Sequence, residues 1–284
     1  ASSITSLMET NSPNDGAGDK KQIISIMVSN LAHVNPRARL ADNVTVEPFA
    51  YIDENVEIGE GSWIGPNATV LFGARIGRNC RIFPSAVISG IPQDLKFRGE
   101  DTTAEIGDGT TIREAATVNR GTAAAGRTII GANCLIMAYA HIGHDCIVGD
   151  NCILGNSSGL AGEVKVDDWA ILSAGTLVHQ FARIGGHVII GGGSKVRTDV
   201  PPFIKADRDP LTYLGLNTVG LTRRGFPKER IDNIHNIYRA IYQNGMNVSQ
   251  ALEYIEKEFA PSADREYIID FIRKSERGII RGPR

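Results

Sequence analysis

The chain has 284 residues, of which 42% are hydrophobic but only 6% aromatic, so it can bury one large aliphatic core and a smaller second unit. A formal net charge of −2 argues against nucleic acid as a bulk electrostatic partner, and no apolar run is long enough to predict a transmembrane helix. The first 22 residues are rich in Ser, Asn and Gly without hydrophobic periodicity, which predicts a disordered extension.

From Val34 an aliphatic residue recurs at every sixth position, through Leu40, Val46, Ile52, Ile58, Ile64, Val70, Ile76, Ile82 and Ile88. The series resumes at Ile106, Ile112 and Val118 and then holds from Ile130 to Val196. Such hexads predict a parallel β-helix in which each hexad supplies a short strand and a turn. Three hexads make one coil, so residues eighteen apart stack about 4.8 Å from one another along the axis. Cys80, Cys134, Cys146 and Cys152 each fall four places after a repeat aliphatic, which predicts small buried residues and not a disulfide or zinc cluster.

Two stretches break the period, 89–105 and 119–128. Loops expelled from a solenoid often carry function, and the first concentrates Gln93, Asp94, Lys96 and Arg98. Beyond Val196 the pattern changes at Asp199-Val-Pro-Pro, and Ile231, Ile234, Ile237, Tyr238 and Ile241 recur at helical spacing. Further helices are expected over Val248–Phe259, capped by Asn247 or Ser249, and over Asp264–Arg273. The expected organisation is an extension at 1–22, a β-helix over 23–222, and a helical domain over 223–284 that covers one end of the prism.

Chemistry concentrates in His141-Ile-Gly-His144-Asp145-Cys. A carboxylate beside an imidazole orients it and stabilises its protonated form, which suits a general base. The eighteen-residue coil stacks Gly162 over His144 and Glu163 over Asp145, with His179 one residue short of the next level. Glycine lets a substrate approach backbone N–H donors, as acyl transfer requires. Zinc shared between subunits is a competing use of histidines on such a helix, but the position five after His179 is Ile184, so a third ligand is missing.

These segments, with Leu160-Ala-Gly162, Val178-His179-Gln180-Phe, Asn217 and Gly220-Leu-Thr-Arg223-Arg224-Gly-Phe226, resemble the UDP-N-acetylglucosamine acyltransferases over about residues 30 to 281. The resemblance implies a mainly β, left-handed parallel β-helix with a C-terminal α-helical domain, assembled as a homotrimer with sites between subunits. It also implies transfer of a 3-hydroxyacyl group from acyl carrier protein to the 3-hydroxyl of UDP-N-acetylglucosamine, the first step of lipid A synthesis, with no metal or other cofactor. His144 then matches the base, Asp145 its supporting acid and Gly162 the oxyanion donor. Gln93, Asp94, Lys96, His141, Glu163, His179, Gln180, Asn217, Arg223 and Arg224 match substrate contacts, and Gly192 matches the acyl pocket. Glu163 and Val219 depart from the bacterial pattern of a histidine and an acidic residue, and together with the N-terminal extension they suggest a plant-type, mitochondrial enzyme, with a bacterial cytoplasmic one as the alternative. Competing functions are a related hexapeptide acyltransferase using another acceptor or coenzyme A, or a non-catalytic scaffold trimer.

Overall fold

The computed structural model describes residues 27–283; the extension expected over residues 1–22 lies outside the described residues. From Met27 to Val196 the chain winds as a left-handed parallel β-helix of triangular section, most strands only two residues long. In the two-residue strands from His33–Val34 to Lys195–Val196 the second residue is the predicted hexad aliphatic. Registers such as Ile136↔Leu154↔Leu172↔Ile190 stack them eighteen apart. From Val46 to Val196 these side chains form a buried column. Burying each contributes about 1.5–3 kcal/mol.

The three sheets meet at three edges, and the turn at each edge follows one plan. Three residues after the aliphatic the backbone enters the left-handed region, as at Asn133, Asp145, Asn151 and Glu163, with φ of 55–62°. Asn and Asp tolerate this conformation best among residues with a side chain. The next residue points back inside, and this is the position of all four cysteines. They are free and buried, and Cys146 Sγ donates to the Ala161 carbonyl at 3.0 Å.

Both irregular segments leave the edge between the second and third sheets. The first spans 91–102, between the strands Val87–Gly90 and Thr103–Ile106; the second spans 120–126, between Thr117–Asn119 and Arg127–Ile130.

The regular coils end earlier than the expected boundary at residue 222. An antiparallel hairpin, Ile204–Asp207 with Thr212–Leu216, extends the first sheet. Helix α1 (Thr218–Arg223) then begins because the Asn217 side chain caps it by accepting from Gly220 N–H. Helices α2 (Lys228–Gln243), α3 (Val248–Glu258) and α4 (Ala263–Arg273) follow, and Asn247 forms a capping box with Gln250 at the start of α3. The helices close the prism's C-terminal end, where the fully buried Tyr238 donates to the Pro202 carbonyl at 2.6 Å. None of the described helices is long and apolar enough to cross a membrane.

The helical unit grips the prism through His187, whose ring lies 5.1–6.3 Å from Trp169, Phe203 and Phe226. Burial, and then the charges of Arg224 and Arg230, lower its pKa to about 4, against smaller opposing effects of Asp168 and Asp264. The folded protein therefore excludes a proton that the unfolded chain binds below its ordinary pKa of about 6.5. The stabilisation is fully present above that value and is lost as pH falls towards about 4. Urea unfolding followed near pH ~5 should show wild type taking up close to one more proton than His187→Phe. Phe181 already adopts this turn conformation, with φ of 64°. Equal proton uptake by the two proteins would contradict the assignment.

Candidate active site

The edge between the second and third sheets gathers most of the predicted residues. His144 and Asp145 form the turn between the strands His141–Ile142 and Ile147–Val148, and Gly162 and Glu163 form the same turn one coil on. His179 and Gln180 occupy it one coil further and are exposed. Gln93, Asp94 and Lys96 lie on the 91–102 loop from the same edge, where Asp94 Oδ1 accepts Lys96 N–H at 2.9 Å and the side chains of Gln93 and Lys96 face solvent.

His144 Nδ1 lies 2.8 Å from Asp145 Oδ2, with the imidazole 18% exposed and the carboxylate fully buried. The carboxylate also accepts the Thr122 hydroxyl at 2.6 Å on Oδ2, and the Thr122 and Ala125 N–H groups at 2.9 and 3.3 Å on Oδ1. Asp145's own N–H donates to the Thr128 hydroxyl at 2.8 Å. The Thr122 and Ala125 contacts come from the second irregular segment, and Thr128 lies on the strand Arg127–Ile130 that follows it. Sequence reasoning singled out the first and missed Thr122.

Gly162 sits against the imidazole so closely that a Cβ there would lie 2.5 Å from both Nε2 and Cε1 of His144. Its own N–H makes no hydrogen bond among the described residues. At the edge between the third and first sheets the corresponding amides are occupied: Ala132 and Asp150 N–H donate to Asp150 and Asp168 carboxylates at 2.7 and 2.8 Å. The edge bearing His144 thus offers a free amide donor on the glycine that packs against the imidazole.

His141 projects outward from the second sheet next to this edge, its Nδ1 2.8 Å from the Thr117 hydroxyl. Burial, with His144 as a second influence, lowers its pKa. His179 Nδ1 is 3.1 Å from the Gln180 carbonyl.

Four predicted residues stand elsewhere in the chain. Gly192 is at the edge between the first and second sheets, in the coil above Ala174, whose carbonyl a Cβ at Gly192 would approach to 3.2 Å. Asn217 is spent on the α1 cap and on donating to the His187 carbonyl at 2.9 Å. Arg224 packs over the Trp169 ring, 5.0 Å from its centroid, and donates to its carbonyl at 3.3 Å. Arg223 ends α1 exposed.

An acyl-[acyl-carrier-protein]–UDP-N-acetylglucosamine O-acyltransferase from Ectopseudomonas mendocina is 50% identical over 251 residues, covering 88% of this chain and 97% of that protein. The chain belongs to this acyltransferase family. The family model for Udp N-acetylglucosamine O-acyltransferase, domain 2, matches residues 199–280, and the bacterial transferase hexapeptide model matches 55–90 and 127–162. Among solved structures, the UDP-N-acetylglucosamine acyltransferase of Bacteroides fragilis is 55% identical with a TM-score of 0.88, covering 90% of this chain and all of that one. The Arabidopsis enzyme is 28% identical, with a TM-score of 0.75 over 90% of this chain and 100% of its own.

Because Asp145 Oδ2 is an acceptor for both Thr122 and His144, the imidazole proton belongs on Nδ1 and the lone pair on Nε2, beside Gly162. Nitrogen-15 NMR above about pH 8, where an ordinary imidazole is neutral, should show His144 as the Nδ1–H tautomer and Asp145→Ala should lose that preference. An Nε2–H tautomer in wild type would contradict this reading.

Proposed function

We propose that the chain transfers a 3-hydroxyacyl group from acyl carrier protein to the 3-hydroxyl of UDP-N-acetylglucosamine, opening lipid A synthesis. The observation that carries this is the His144–Asp145 pair beneath the unoccupied Gly162 amide, in a chain of this family.

His144 Nε2 removes the proton as the sugar hydroxyl attacks the thioester carbon. The carbonyl oxygen gains negative charge and meets the Gly162 N–H, a donor already in place before reaction. The C–S bond breaks, the ester remains on the sugar, and the imidazolium returns its proton to the leaving thiolate. Asp145 stays ionised throughout, holding the ring and balancing its transient charge. On this reading Asp94, Lys96, His141, Glu163, His179 and Gln180 line the sugar nucleotide's cleft, and no step requires a metal or other cofactor.

A homotrimer accounts for the residues that stand apart. Gly192, Asn217, Arg223 and Arg224 lie away from the His144 edge, and a threefold assembly brings different edges of neighbouring prisms together. The outward side of the first sheet carries Leu135, Ile153, Ile171 and Ile189 in register, only half-buried, as an aliphatic stripe suited to a subunit interface. For location, the bacterial relative's 50% identity against 28% for the plant enzyme favours the bacterial cytoplasm over the mitochondrion.

Purified protein given UDP-N-acetylglucosamine and 3-hydroxyacyl carrier proteins of several chain lengths should form the acylated sugar nucleotide. His144→Ala should lower turnover by about 10²–10⁴-fold with the oligomer intact. Gly162→Ala, whose methyl would meet the imidazole, should cost about 10²-fold or more in kcat. Turnover by His144→Ala at the wild-type rate would remove the base assignment, and transfer from acyl-coenzyme A alone would favour the coenzyme A-dependent alternative.

A further inference from the structure

Asp145 is held from outside its own coil. Its carboxylate is fully buried and its backbone sits at φ +59°, so both its position and its orientation depend on neighbours. Thr122 supplies two of these contacts at once, its N–H on Oδ1 at 2.9 Å and its hydroxyl on Oδ2 at 2.6 Å. The hydroxyl thus shares Oδ2 with His144 Nδ1.

The segment bearing Thr122 is itself rigidly closed. Gly126 N–H donates to the Thr122 carbonyl at 2.8 Å, and the Thr102 hydroxyl donates to the Gly121 carbonyl at 2.6 Å. A Cβ at Gly121 would lie 2.2 Å from Arg127 N, so the chain passes there without room for a side chain. Thr122 is 8% exposed. These contacts position one hydroxyl and do not place it against substrate.

We propose that Thr122 is the positioning residue of the active site: it fixes the Asp145 carboxylate in the one rotation in which Oδ2 faces His144 Nδ1, and so aims Nε2 at the Gly162 edge. The 120–126 segment is then an orienting clamp for catalysis. Without the hydroxyl, Oδ2 can turn from the imidazole and the ring loses its directed tautomer.

The assignment rests on the acyl-transfer reading, and a double-mutant cycle tests it separately. Wild-type turnover is measured first; its absence would count against that reading, not against the clamp. Given turnover, Thr122→Val should lower kcat by about 10- to 100-fold while KM for UDP-N-acetylglucosamine stays within about twofold. Thr122→Ser should restore kcat to near wild type. In an Asp145→Ala background, Thr122→Val should cost nothing further. Thr122→Ala keeps the N–H and cannot overfill the buried site, so it serves in the same cycle if the valine variant does not fold. Three results would overturn the proposal: unchanged kcat in the hydroxyl-less variant, equal losses from serine and valine, or the same loss with and without Asp145. The last two are the signature of a merely structural threonine.

Discussion

Everything in this molecule depends on the eighteen-residue coil. One inward aliphatic per hexad fills a narrow prism, and strand pairing at 4.7–4.9 Å sets the spacing between coils. A one-residue slip would turn the whole aliphatic column outward. Register is therefore fixed by burial, and whatever stands at an edge of one coil lies directly beside its counterpart in the next. His144 under Gly162 is such a neighbour pair.

The edges share one geometry but not one chemistry. Where the third sheet meets the first, Asp150 and Asp168 cap the turn amides of the preceding coil, and the helical unit packs Trp169 and His187 into its aromatic contact. Where the second sheet meets the third, Gly162 leaves its amide free, His144 replaces a capping carboxylate, and both irregular segments emerge. The prism thus ties the Ala132 and Asp150 turn amides to carboxylates at the edge that packs on the helical unit, and leaves the Gly162 amide free at the edge that carries His144. The two segments are also tied to each other: Arg120 lies between the rings of Phe72 and Phe97, at 5.4 and 5.3 Å, and so joins the segment holding Thr122 to the one holding Asp94 and Lys96.

The prism was legible because its rule is local and repeated: an aliphatic, a left-handed turn residue, then a small buried residue such as Cys146. The same arithmetic placed Gly162 over His144. It could not reach Thr122, which lies 23 residues before Asp145, one coil plus the extra length of an irregular segment. Continuing the hexads through the break would have put 119–128 at the His144 edge, but which side chain turns inward is decided by the segment's own closure. The hairpin of Ile204–Asp207 and Thr212–Leu216 escaped notice because its pairing is antiparallel and its far edge is met by Arg281, bridged to Thr212. Helix α1 is six residues long and contains Gly220, too short to show a period. Asn217, matched to a ligand contact by resemblance, is used in this chain as that helix's cap.

The central claim is that acceptor chemistry takes place at the His144 edge and not elsewhere on the prism. The most direct measurement is an experimental structure of the protein with UDP-N-acetylglucosamine bound. The account predicts the sugar 3-hydroxyl within about 2.6–3.2 Å of His144 Nε2, with the Gly162 amide facing the space above it. A sugar seated at either of the other two edges, with His144 solvated, would contradict it.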